Sequence, residues 1–134
     1  MNRRTLREHL FKLLFRIEFN SIEEMPEQCA LFLEGMEEPV SEKDSEEITE
    51  RFNQVMDHLE EIDRLINEKA KGWTTDRMGK VDLTIIRLAV FEILFDDQVP
   101  AGVAINEAVE LAKKFGQEES YSFVNGVLAK FVKD

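Results

Sequence analysis

Cysteine and histidine are nearly absent from this chain, and their scarcity excludes two kinds of site. The sequence contains one cysteine, Cys29, and two histidines, His9 and His58. One cysteine cannot form an intrachain disulfide, and no second cysteine or histidine stands two to four residues from it, as zinc motifs require. The histidines fall in different predicted helices, with no metal-ligand pattern around either. We therefore expect no metal site and a cytoplasmic, reducing environment.

Glycine and proline, which interrupt regular structure, are also few. Six glycines and three prolines leave room for few turns and favour long regular elements. Apolar residues recur along most of the chain at the i, i+3, i+4 and i+7 spacing of amphipathic helices. The chain has the length of one domain. We therefore predict an all-α domain, a compact bundle of about seven helices.

Long apolar runs and catalytic motifs are missing as well. The most apolar run, residues 83–91, contains Arg87 and has half the length that a membrane span needs. There is no glycine-rich phosphate loop and no nucleophile elbow. We expect a soluble protein that is not an enzyme, uses no cofactor and does not enter a membrane. Arg87 should pair with an acid inside the domain, because an unpaired buried charge is costly.

Positive charge is scarce in total but concentrated locally. The formal net charge is −11, which by itself argues against binding to nucleic acid. Residues 1–20 nevertheless carry five basic and two acidic side chains, whereas residues 21–63 carry two basic and fifteen acidic ones. A basic surface near the N-terminus is therefore compatible with an acidic chain.

Residues 3–19 predict a first helix in which arginines and aromatic residues share one flank. At about 100° per residue, five of them fall on one stripe beside the apolar face. We call this set the arginine stripe: Arg3, Arg4, Arg7, Phe11 and Phe15. One interpretation is a solvated charged edge next to phenylalanines of the core. The other is an RNA-contact surface, because guanidinium groups pair with phosphates and aromatic rings stack on bases.

Two functions of different classes are compatible with these patterns. In the first, the chain is an RNA-binding adaptor that uses the N-terminal arginines and an exposed aromatic ring near its last helix. In the second, it is a helical protein-interaction adaptor that does not bind RNA, and the same arginines pair with the glutamates of residues 21–63. The residue patterns leave both functions open.

Capping residues predict where the next helices begin and end. Pro26 suits the first turn of a second helix, which Pro39 is expected to end. Ser41 with Asp44, or Ser45 just after it, is placed to cap a long third helix, and Gly72 to terminate it. Asp82 is expected to cap a central helix that is apolar on nearly every side.

The last part of the chain, residues 99–131, predicts two amphipathic helices joined by a short polar loop. Pro100 precedes the first helix and Gly116 follows it. Phe123 lies one step off the apolar face of the second helix. Core packing therefore does not account for its ring.

Several blocks of this sequence resemble the NusB family of bacterial transcription antitermination factors. In chain order the blocks are RRTLRE (3–8), KLLF (12–15), VDLTIIRLAVFE (81–92), VAINEAVELAKKFG (103–116) and FVNGVL (123–128). The last two blocks are similar to the C-terminal signature of the family and are the most specific. Together the blocks extend over essentially the whole chain.

The resemblance implies a fold, a function and partners. It implies a single RNA-binding domain over residues 1–134, made of two packed helical subdomains at about 1–72 and 73–134. It implies an antitermination factor that binds the boxA element of nascent ribosomal RNA leader transcripts together with NusE, a small-subunit ribosomal protein. The complex would join RNA polymerase and help it read through terminators. Some family members form homodimers when free.

The resemblance also implies site residues. Seven positions match RNA-contacting or RNA-proximal positions of the family: Arg3, Arg4, Arg7, Lys12, Phe15, Glu119 and Phe123. The family often has Gln at the position of Lys12 and commonly has Asp at that of Glu119, where Glu keeps the charge and adds a methylene group. Asp82 and Glu92 fall on the helix that family members present to NusE.

Overall fold

Helices make up all the regular structure of the described residues. The computed structural model describes residues 1–38 and 40–132. Its six α-helices are α1 (Arg3–Phe15), α2 (Met25–Glu34), α3 (Glu42–Lys69), α4 (Lys80–Phe95), α5 (Ala101–Phe115) and α6 (Ser120–Ala129). Three short 3₁₀-helices stand between them, at Arg16–Phe19, Ile22–Glu24 and Thr75–Arg77. The predicted all-α fold is confirmed, with a helix count close to the predicted one.

The chain forms two compact units, an N-terminal unit, Met1–Asp57, and a C-terminal unit, His58–Asp134. The boundary between the two units lies within α3, whereas the resemblance implied a boundary after that helix, at about residue 72. That residues 1–134 act as a single RNA-binding domain stays a prediction. Across residues 1–38 and 40–132, no helix combines the length and apolar character needed to cross a membrane.

Helix α1 begins at a capping residue and buries one face in the N-terminal unit. The side-chain oxygen of Asn2 accepts a hydrogen bond of 2.8 Å from the backbone N–H of Thr5, which satisfies an amide at the open end of the helix. Four leucines of the predicted apolar face are at most 4% exposed: Leu6, Leu10, Leu13 and Leu14. The α-helix ends at Phe15, and the rest of the predicted helix is a 3₁₀-helix.

Helices α2 and α3 begin as predicted. Pro26 lies in the first turn of α2, where the hydrogen bond that proline cannot donate is not needed. Helix α2 ends at Glu34, and Pro39, its predicted terminator, lies outside the described residues. The side-chain oxygen of Ser41 accepts a hydrogen bond of 3.0 Å from the backbone N–H of Asp44 and caps α3.

The turn after α3 depends on glycine, as predicted. Gly72 has a φ of +84°, a left-handed conformation that residues with a Cβ rarely adopt. The preceding residues of α3 carry a continuous buried stripe, which in the C-terminal unit consists of Leu59, Ile62 and Ile66. The predicted spacing of this helix is therefore confirmed.

Helix α4 is buried on nearly every side within the C-terminal unit. All residues from 83 to 92 are buried. Arg87 donates two hydrogen bonds of 2.8 Å, from Nε and Nη2, to the two carboxylate oxygens of Asp63 in α3. The predicted internal acid partner of Arg87 is confirmed, and its bidentate geometry compensates for the removal of the guanidinium from water.

The predicted cap of α4 is wrong. The helix begins at Lys80, and its N-cap residue is Gly79. Asp82 lies inside the first turn instead, where a negative charge interacts favourably with the helix dipole by about 0.3–1 kcal/mol. The sequence pattern missed this start because Lys80 precedes the apolar run that marks the helix.

Helices α5 and α6 pack closely at Gly116, which follows the last turn of α5. A Cβ at Gly116 would lie 2.6 Å from both Cβ and Oγ of Ser120, so the approach requires glycine. The Ser120 hydroxyl accepts a hydrogen bond of 2.9 Å from the backbone N–H of Gln117 and orders the loop. This loop positions the first turn of α6, which carries Phe123.

Candidate nucleic-acid interface

Arg3 and Arg4 are the exposed cations of the arginine stripe, in the first turn of α1. The Nη1 atom of Arg3 lies 3.8 Å from Oε2 of Glu47 in the N-terminal unit. The two side chains are 58% and 41% exposed, so water screens their attraction, and such pairs contribute about 0–1 kcal/mol. This contact is too weak to withhold Arg3 from a phosphate.

Arg7 and Phe11 are buried members of the arginine stripe. Phe11 is 4% exposed and Arg7 is 8% exposed, because at these positions the stripe adjoins the leucine face of α1. Phe11 is a core residue, as in the first interpretation of the stripe. The RNA contact of Arg7 stays a prediction, and it would require the guanidinium to move outward.

Phe15 connects the core of the N-terminal unit to an exposed ring. Its ring centroid lies 6.3 Å from that of Phe11 and 5.3 Å from that of Phe19, the second pair being edge-to-face. Phe15 is half-buried, whereas Phe19 is 64% exposed. Phe19 is not among the residues predicted from the sequence, although its spacing of four residues from Phe15 was a signal for it.

Lys12 lies beside a surface hollow of the N-terminal unit. Its ammonium is 3.6 Å from the carboxylate of Glu8, one helical turn earlier. His9, Arg16 and Phe32 also line the hollow. Burial lowers the pKa of His9, and Lys12 lowers it further against the opposing effect of Glu8. Burial and Lys12 thus favour the neutral imidazole. Lys12, Arg16 and the terminal ammonium of Met1 supply the positive charge of the hollow, and the carboxylates of Glu37, Glu38 and Asp44 supply negative charge.

Glu119 and Phe123 lie together at the start of α6, in the C-terminal unit. Glu119 occupies the N-cap position and is exposed. Both residues line a second hollow together with Glu118, Tyr121 and Ser122. The structure therefore brings these two predicted residues to one surface, where Phe123 supplies a ring and Glu119 a hydrogen-bond acceptor.

Trp73 belongs to this surface, although the sequence pattern did not predict it. Its ring packs edge-to-face against Phe123, with the centroids 5.2 Å apart, and this contact covers part of the half-buried Phe123. The guanidinium carbon of Arg77 lies 5.9 Å from the Trp73 ring centroid. In the sequence Trp73 is only part of a connector. Its being the one tryptophan of the chain was the available signal.

Asp82 and Glu92, the predicted partner-binding residues, differ in exposure. Asp82 is partly exposed in the first turn of α4 and can contact a partner directly. Glu92 is 5% exposed and presents almost no surface. Its predicted role stays a prediction, and in this structure it would have to act through neighbouring residues.

The model of the NusB family matches residues 4–133 of this sequence. The chain belongs to the NusB family. The match covers both units and all six α-helices, and it confirms the family that the sequence blocks resemble.

Individual relatives agree with this assignment. The transcription antitermination protein NusB of Agathobacter rectalis is 53% identical over 131 residues, 98% of this chain and 99% of the relative. The T. maritima NusB structure has a TM-score of 0.85 at 35% identity, over 97% of this chain and 89% of that one. A crystal structure of the antitermination factors NusB and NusE with double-stranded RNA has a TM-score of 0.74 at 28% identity, over 95% and 92% of the two chains.

These relatives define the general activity of the family. The NusB family consists of transcription antitermination factors and not of enzymes. The prediction that this chain is not an enzyme is thereby confirmed.

Proposed function

We propose that this chain binds the boxA element of nascent ribosomal RNA leader transcripts together with NusE, and so helps RNA polymerase read through terminators. Two relatives support the proposal. The A. rectalis relative is a transcription antitermination protein, and a NusB structure with the same fold was determined with NusE and double-stranded RNA. The proposed place of action is the cytoplasm, where bacterial transcription occurs.

The observation that carries the RNA-binding part is the exposure of Arg3 and Arg4 on a chain of net charge −11. Two consecutive exposed arginines in the first turn of α1 make a local positive surface, which attracts phosphates in spite of the acidic remainder. We propose that Lys12 and Phe15 extend this surface along α1. In the C-terminal unit, Glu119 and Phe123 would contact RNA separately.

One contact favours the alternative function, a protein-interaction adaptor that does not bind RNA. Arg3 pairs with Glu47, as expected if the arginines serve to neutralise glutamates of residues 21–63. The half-exposed geometry of this pair makes it worth about 0–1 kcal/mol, less than the charge-assisted hydrogen bonds that Arg forms with phosphate, at about 1.5–3 kcal/mol. This pair is therefore too weak to exclude a phosphate from Arg3.

The partner side of the proposal rests on fewer residues. We propose that NusE contacts α4 near Asp82 and that the complex joins the RNA polymerase antitermination assembly. Free protein is also proposed to form a homodimer, as some family members do. Such a homodimer would occlude the arginine stripe.

The decisive experiment is a titration of labelled boxA-like RNA with and without NusE, at about 50 and 200 mM salt. We expect NusE to tighten binding and salt to weaken it. The double change Arg3→Ala, Arg4→Ala should weaken binding and reduce the slope of log affinity against log salt by roughly 2, about one per lost phosphate contact. Lys43→Ala removes an exposed cation of the same unit and is the matched control.

Two outcomes would contradict the proposal. Absence of RNA binding at low salt in the presence of NusE would favour the protein-interaction adaptor. RNA binding in which the arginine double variant behaves like Lys43→Ala would remove Arg3 and Arg4 from the site.

A further inference from the structure

Trp73 presents an unusually large aromatic surface to solvent in the C-terminal unit. Tryptophan is among the most buried residues on average, yet Trp73 is 47% exposed. It is held in place nonetheless, because its ring packs edge-to-face against Phe123 at a centroid distance of 5.2 Å. A fixed, half-exposed aromatic ring is suited to stack on a flat ligand without a large loss of side-chain entropy.

A cation lies beside this ring. The guanidinium carbon of Arg77 is 5.9 Å from the Trp73 ring centroid, within the range of a cation–π contact. Nucleic acid combines the two features that such a pair recognises, a flat base that stacks on an aromatic ring and a phosphate that pairs with a guanidinium. A carboxylate of a protein partner can also pair with Arg77, but Trp73 packs directly on Phe123, which is proposed to contact RNA, and this proximity favours RNA as the ligand.

We propose that Trp73 is a stacking platform for an unpaired nucleobase of RNA next to Phe123, with Arg77 neutralising an adjacent phosphate. This inference rests on the proposed RNA-binding function and extends it to residues that the family resemblance did not select. The planes of the two rings meet at 70°. A base stacked on Trp73 is therefore steeply inclined to one stacked on Phe123, and the RNA strand turns between them.

A purely structural role for Trp73 makes different predictions. If the ring only shields Phe123 from water, a large aliphatic side chain should replace it with little effect on RNA binding. If the ring stacks on a base, Trp73→Phe should retain binding and Trp73→Leu should lose it, because both shield Phe123 but only one provides an aromatic face.

The test uses the protein together with NusE and labelled boxA-like RNA, with anisotropy as the measure of affinity. Base stacking on an aromatic side chain is worth about 1–3 kcal/mol, so we expect Trp73→Leu to weaken binding roughly 5- to 150-fold and Trp73→Phe to stay near the original protein. Arg77→Gln should weaken binding and lower its salt dependence. Val103→Ala, which removes another exposed apolar side chain of this unit outside α4, is the control and should have no effect.

A spectroscopic signal reports on the ring directly. Because the chain contains one tryptophan, 5-fluorotryptophan labelling gives a single ¹⁹F resonance, which should shift when RNA is added to the complex with unlabelled NusE. Unchanged affinity of Trp73→Leu together with an unshifted resonance would overturn this inference and leave the proposed function intact. Failure of the original protein to bind RNA would overturn both.

Discussion

Replacing Asp63 by alanine should destabilise the C-terminal unit far more than the loss of an exposed ion pair. The change leaves Arg87, whose side chain is 11% exposed, without the carboxylate that accepts two hydrogen bonds of 2.8 Å. Removal of one partner of a buried pair costs about 3–5 kcal/mol, because the remaining charge stays away from water. Asp63 itself is 27% exposed, so in the variant water can partly hydrate Arg87 from that side. We therefore expect the free energy of unfolding to fall by about 3 kcal/mol, the lower end of this range. For a chain of this length the Tm should fall by about 10 °C.

Urea denaturation followed by circular dichroism measures this free energy of unfolding, and a constant m-value shows that the unfolded states are comparable. The matched control is Glu68→Ala, which breaks the Arg64–Glu68 pair of 3.5 Å in the same helix, where both side chains are 59% exposed. It should change stability by no more than about 0.5 kcal/mol. The double change Asp63→Leu, Arg87→Met should recover stability relative to Asp63→Ala, because no buried charge remains. Equal costs for Asp63→Ala and Glu68→Ala would refute the reasoning.

Two further predictions concern packing and pH. Gly116→Ala should lower the free energy of unfolding by about 1–3 kcal/mol, because its Cβ would lie 2.6 Å from Ser120. Gly102 lies within α5, and a Cβ there would have no atom within 4 Å, so Gly102→Ala should raise the free energy of unfolding by about 0.5–1 kcal/mol. Thermal unfolding compares the two variants, and stability changes of the same sign would contradict the packing argument. The pKa of His9 is lowered by burial and by Lys12. As the pH falls through 6.5, the unfolded chain therefore binds more protons than the folded chain, and the free energy of unfolding should decrease. His9→Gln should reduce this pH dependence between about pH 7 and 5 in urea titrations, and an unchanged slope would show that His9 does not cause it.

The helices could be predicted because their signals are local. Ser41 caps α3 through an amide three residues away, and Gly72 terminates the same region through its own backbone conformation. The leucine face of α1 and the all-round apolar character of α4 are likewise periodic patterns within one segment. The wrong cap at Asp82 has the same origin. A local pattern cannot distinguish an acid at the N-cap from an acid within the first turn.

The proposed RNA surface was only partly predictable, because exposure depends on what packs against a residue. Helical spacing placed Arg7 and Phe11 on the same stripe as Arg3 and Arg4, but packing buries the first two and leaves the last two in water. Helical spacing also pointed to four of the seven proposed RNA residues, Arg3, Arg4, Arg7 and Phe15, whereas resemblance alone assigned Lys12 and Glu119 to RNA.

The sequence by itself determined the all-α class, most helix boundaries, the family and the need of Arg87 for an internal acid. These follow from periodicity, capping chemistry, motif order and the cost of an unpaired buried charge. Only the tertiary structure decided that this acid is Asp63, that Trp73 packs on Phe123, and which arginines face solvent. The physical reason is that contacts between distant segments, which no local pattern encodes, set the partner of a charge and the exposure of a side chain.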